Sequence, residues 1–102
     1  MNELLTLVRR VLGPDGVTVA EESRRDVFCR LQSVGQAEFY RAQATSLRPE
    51  LVFVLADYLD YGGEFLCIHD SVWYRVIRTY RRGLELEIVV QTASVEEVGP
   101  HG

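Results

Sequence analysis

The side chains able to do chemistry are few, and they are badly spaced for it. The chain has two histidines, His69 and His101, and two cysteines, Cys29 and Cys67. Cys67 and His69 stand two apart in a strand-like run and share a face, where neighbours do not converge for proton transfer without a third partner. No CxxC pair occurs, which points away from zinc and toward two buried free thiols. Asp57, Asp60 and Asp70 fall in turn-like stretches, where aspartate commonly bonds nearby backbone. Glu96-Glu97 reads as part of a solvated tail, and no Gly-rich phosphate loop is present. The expectation is a protein that is not an enzyme, with no catalytic, cofactor-binding or metal-binding residues.

Arginine interleaved with aromatic residues is the next candidate, in Trp73-Tyr74-Arg75 and Tyr80-Arg81-Arg82. On an OB-like barrel such residues could stack single-stranded bases, and this is the alternative function. The formal net charge of −4 argues against a main job of gripping phosphate. All 11 basic residues are arginine. Codon bias explains that blandly; functionally, rigid guanidinium forks serve protein interfaces better than lysine does. Arg81-Arg82, expected at an exposed hairpin tip, is the best local candidate for contact with an acidic partner or a phosphate.

The elements that must position these residues read as mainly β. The 102 residues fit one domain, expected over 1–92, with 93–102 a flexible tail where periodicity gives way to Gly, Pro and acid. Leu4 to Leu12 suits either a helix or a strand. Gly13-Pro14-Asp15-Gly16 forces a turn, Val17 to Val19 is extended or loop, and Glu21 to Arg25 is a polar bend. Asp26 to Gln32 alternates as a strand with Val27, Cys29 and Leu31 on one face. Ser33 and Gln36 then form a capping-box pattern ahead of a short helix whose docking face is Ala37, Tyr40 and Ala44. Leu51 to Ala56 is apolar on both faces and needs cover from the helix or from a neighbouring subunit. Glu64 to His69 is the next strand, and Asp70-Ser71 is a tight turn into Val72.

In the last hairpin, Leu84, Leu86, Ile88 and Val90 face one way. The alternation of Val72 to Thr79 slips at Val76-Ile77, which predicts a β-bulge there. That register sets Arg78 opposite Glu85 and Arg75 opposite Glu87. The N-terminus lacks a basic n-region and a cleavage pattern, so no signal peptide is expected. The longest apolar run is far short of the ~20 residues of a membrane helix. The expectation is a soluble protein with no membrane partner.

At the level of whole phrases the sequence is similar to phage and prophage proteins of the head-tail joining, or head-closure, family. The resemblance runs from about Val27 to Val90 on the ordered phrases VFC, SV-x-x-x-EFY, RPE, DY, YRVIRTY and LELE. Asp70-Ser71 departs from it, since a Gly-containing turn is more usual there. The resemblance implies a small antiparallel β-barrel or sandwich of about six strands, with one short α-helix inserted between early strands and a first strand over Leu4 to Val11. It implies a homo-oligomeric ring, a hexamer in preference to a dodecamer, with portal and adaptor above and a tail protein below. Packaged DNA would pass without sequence-specific binding, and an acidic lumen would not trap it. The protein would reside in the virion neck, and in the host cytoplasm during assembly. The excursion Ser33 to Glu50 maps onto the element that projects into the channel or onto a neighbouring ring. Its contact candidates are Glu38, Phe39, Tyr40, Arg41, Arg48 and Glu50, joined by Arg81 and Arg82 of the hairpin. Another neck or tail-completion protein is the nearest alternative, and a strongly helical bundle would favour an adaptor.

Overall fold

The computed structural model describes residues 2–98. Six antiparallel strands dominate: β1 Glu3–Leu12, β2 Val19–Gln32, β3 Leu51–Leu55, β4 Leu66–His69, β5 Val72–Arg82 and β6 Glu85–Thr92. Helix α1, Gln36–Gln43, lies between β2 and β3, and a helical turn α2, Val95–Val98, follows β6. The sheet order is β1-β2-β3-β6-β5-β4, and β4 pairs back onto β1, so the sheet closes into a barrel.

Side chains alternate between the two faces of a strand, and this sorts the sequence into an inside and an outside. Leu5, Leu7, Val27, Cys29, Phe53, Leu55, Cys67, Leu86, Ile88 and Val90 fill the interior. The barrel needs no other core, because its small bore is filled by side chains alone. β3 is apolar on both faces for a different reason on each. Phe53 and Leu55 point inward, while Val52 and Val54 join Val89 in an outer cluster against which Val34, Ile77 and Tyr80 pack. The second cover expected for Leu51 to Ala56 thus comes from within the chain.

The bulge is where the alternation slips: Val76 pairs with Val90, Arg78 with Val89, and Ile77 is the extra residue. The register beyond it differs from expectation. Gly83-Leu84 forms the two-residue turn, so Arg82 lies opposite Glu85 and Tyr80 opposite Glu87. Arg78 is not opposite Glu85, nor Arg75 opposite Glu87. Turn geometry fixes a hairpin's register, and charge pairs worth ~0.2–1 kcal/mol each are too weak to overrule it. Because of the bulge, Ile77 and Arg78 both face outward, and Tyr80 follows them.

Two further expectations are corrected. Glu21 to Arg25 is not a bend but part of the 14-residue β2, paired residue for residue with β1. The capping box does not form: Gly35 is the N-cap and no side chain caps the helix. At the other end Ser46 takes φ 63°, and the Leu47 N–H returns to the Ala42 carbonyl as in a Schellman closure.

Asp70 and Ser71 both have left-handed φ, 52° and 67°, the pattern of a type I′ hairpin turn built without glycine. A left-handed residue with a Cβ costs about 1–2 kcal/mol, and glycine removes most of that. Ser71→Gly is therefore expected to stabilise the fold by about 0.5–1 kcal/mol, net of its extra unfolded-state freedom, read as a raised urea midpoint at unchanged slope.

Candidate partner-contact surfaces

Helix α1 is too short to persist alone and is held to the barrel by a polar link. Glu38 is buried on its inner side next to Ala42. Arg78 Nε lies 2.8 Å from Glu38 Oε1, an ion-pair distance without hydrogen-bond alignment. The Tyr80 hydroxyl donates to Glu38 Oε2 at 2.7 Å, and Arg41 Nη1 donates to that hydroxyl at 2.6 Å. The docking face is therefore Glu38 and Ala42. Ala37, Tyr40 and Ala44 are exposed, so the expected apolar face is not the one that docks. A cleft of about 280 Å³ remains between α1 and the sheet, bordered by Gln32, Glu38, Arg41, Tyr80, Arg82 and Glu87.

The structure thus brings Glu38, Arg41 and Arg82 to one cleft, with Arg82 paired to Glu87. Phe39 and Tyr40 are exposed and meet edge to face at 5.9 Å. Arg48 and Glu50 lie on the linker to β3, beside the end of β6. There the Arg48 N–H donates to Gln91 Oε1 at 2.9 Å and the Glu50 carboxylate accepts from the Thr92 N–H. Arg81 turns away from these residues, with its guanidinium 3.6 Å over the Tyr58 ring. Gly83-Leu84, not Arg81-Arg82, is the hairpin tip. Trp73 has Arg10 and Arg24 over its ring at 5.1 and 5.2 Å, so its own chain occupies the stacking surface.

Sequence reasoning missed a second surface. Beyond Val8, β1 has no β4 partner, and β2 meets β3 only from Cys29 onward. The outer part of the β1–β2 hairpin therefore leaves the barrel as a two-stranded arm. Its base is tied by Glu64, a buried carboxylate with Arg25 at 3.0 Å and Arg9 at 3.5 Å. Gly62 permits that approach, since a Cβ there would sit 2.6 Å from Glu64 Oε1. The tail stretch 93–98 packs beside the arm: Arg10 Nη1 donates to the Val98 carbonyl at 2.7 Å, and Arg75 pairs with Glu97 at 3.1 Å. Residues 99–102, including His101, lie outside the described residues.

At the tip of the arm, Asp15 accepts from the Thr18 hydroxyl at 2.5 Å and from the Thr18 and Val17 amides at 2.8 and 2.9 Å. These bonds, the Thr18 hydroxyl foremost, lower its pKa from 3.8 to about 2. A depressed carboxylate favours the folded turn above its ordinary pKa and loses that contribution as pH falls through the folded value. The Thr18 amide resonance is expected to titrate near pH 2 and to show no step near pH 4.

Inside the barrel, burial pushes the Cys29 thiol up to about 11, with Glu3 adding to the shift, and the Cys67 thiol up to about 12. Both are free and buried. His69 turns from Cys67 to Glu3, with Nε2 2.9 Å from its carboxylate. Among the described residues no group of three His, Cys, Asp or Glu side chains gathers as a metal cluster, and no helix is long and apolar enough to cross a membrane.

No protein-family model matches this chain, and no curated protein matches it as a relative.

Proposed function

We propose that this chain is a structural subunit of a ring in the phage neck, closing the filled head and docking the tail onto portal and adaptor. The reading rests on the phrase-by-phrase resemblance from Val27 to Val90. The observation that carries it is a closed barrel with unlike projections at the two ends of β2. The arm leaves at the Val19 end, and the 33–50 excursion with its helix leaves after Gln32. A ring repeats one heterologous contact, so each subunit needs two different surfaces that fit each other. The exposed Phe39 and Tyr40 on one projection and the bare strand edge on the other are such a pair. A mainly β fold also favours head closure over the helical adaptor.

In this role the protein does no covalent chemistry. It is a homo-oligomer, a hexamer in preference to a dodecamer, located in the virion neck, and DNA passes it without sequence-specific contacts. Imaging the neck assembled with portal and adaptor tests this. A sixfold or twelvefold ring with residues 33–50 at a subunit or partner contact is expected. A chain that stays monomeric in the presence of both would overturn it.

A further inference from the structure

The outer edge of β2 is bare. Backbone bonds from Val19 to Phe28 run to β1 on one side, and among the described residues no other strand or loop backbone bonds to that stretch on the other. An unpaired edge of this length is a template for another strand. Its sequence specifies which strand fits. Glu21-Glu22-Ser23-Arg24-Arg25 is antisymmetric in charge about Ser23. A second copy laid antiparallel along it, with the twofold axis at Ser23, sets Glu21 against Arg25 and Glu22 against Arg24. The symmetry makes each pair twice. Directly opposed residues share a face, so all these pairs meet on matching sides of the joined sheet.

We propose that β2 is a self-pairing edge, and that two copies associate through it into a four-stranded sheet with strand order β1-β2-β2-β1. The charges also fix the register. Sliding by two residues one way opposes Glu22 to itself, and the other way opposes Arg24 to itself, and like charges directly opposite are destabilising. An in-register parallel alignment opposes every charge to its own kind. The side chains keep exposed surface from which to reach a second copy. Glu21 is exposed and has no ion-pair partner among the described residues, while the Arg24 and Arg25 side chains are 47% and 49% exposed. Glu22 already holds Arg10 and Arg24 of its own chain, and Arg25 holds Glu64 while keeping half its side chain exposed, so the new contact is the addition of Glu21 to Arg25. This contact is isologous and closes on itself, so it does not rest on the neck reading. It describes the free chain, whose edge it covers.

Sedimentation velocity over a range of concentrations tests the proposal. A dimer that grows with concentration and weakens with salt is expected. Glu21→Arg, at a position with no ion partner among the described residues, should weaken the dimer about tenfold or more by opposing Arg to Arg. The double variants E21R/E22R and R24E/R25E should each be monomeric and should associate with one another when mixed. Circular dichroism of each variant alone confirms that it is folded. Ser23→Cys should oxidise to a disulfide dimer, since residue 23 meets itself at the axis and the native thiols are buried. Ala20→Cys, which lies off the axis, should not. A chain that is monomeric at every concentration overturns the proposal. So does a charge-swapped mixture that fails to associate while both members are folded, or equal cross-linking at positions 20 and 23.

Discussion

Phe53→Ala is expected to lower stability by about 3–5 kcal/mol, the largest single-residue effect in this chain. Phe53 is the largest fully buried side chain. It lies opposite Leu31 on β2 and Ile88 on β6, and its ring meets Tyr74 edge to face at 5.6 Å and His69 at 5.3 Å. Truncation removes the ring's transfer energy and leaves a cavity that six hydrogen-bonded strands cannot collapse to fill. In a domain of this size each kcal/mol shifts the melting temperature by about 4–8 °C, so a fall of about 12 °C or more is expected. The loss should be global, with all strands unfolding together. A fall of only a few degrees would mean that the barrel closes around the gap.

Glu38→Ala should cost about 2 kcal/mol, and in a different way. It leaves the Tyr80 hydroxyl without its acceptor and Arg78 without its counter-charge. Breaking a buried pair costs about 3–5 kcal/mol, but the Arg78 side chain is 26% exposed, and solvent screens part of that. The damage should stay local. Hydrogen exchange of the α1 amides should approach the random-coil rate while the β3 and β6 amides stay protected. Glu38→Gln keeps an acceptor for Tyr80 and should fall between the two. If the helix and barrel lost protection together in Glu38→Ala, the local docking account would be wrong.

How much was legible in the sequence follows from which force each residue reports. The inner face of β6 could be read directly because Leu86, Ile88 and Val90 recur every second residue, with Glu85, Glu87 and Gln91 among the residues between and beside them. The Val76-Ile77 bulge could be read because it breaks such an alternation. Its use could not be read. It turns Arg78 and Tyr80 outward to meet Glu38, and a charge buried against a distant charge leaves no periodic trace. For the same reason the sequence points to the wrong docking face of α1, since its apolar stripe is exposed and the Glu38 carboxylate makes the contact. The arm was missed because both faces of residues 21–25 meet water, so no alternation marks them as a strand. Only pairing with β1 reveals it. Of the contact candidates, Glu38, Arg41 and Arg82 converge on one cleft, whereas Arg81 rests on Tyr58.

The seam that closes the barrel is short. Only Thr6–Ile68, Leu7–Cys67 and Val8–Leu66 join β1 to β4, against ten paired positions between β1 and β2. Hairpins form early because their loops are small, whereas the seam must bring together residues far apart in the chain. The seam closes the longest loop of any strand pair in the sheet, the costliest closure in chain entropy. It is also where the barrel can most readily breathe, as the fewest ladder bonds hold it there. The Arg10–Val98 and Arg75–Glu97 contacts link the C-terminal turn to β1 on one side of this join and to β5 beyond β4 on the other. Residues 97 and 98 thus act as a latch across the seam, tying its two sides together.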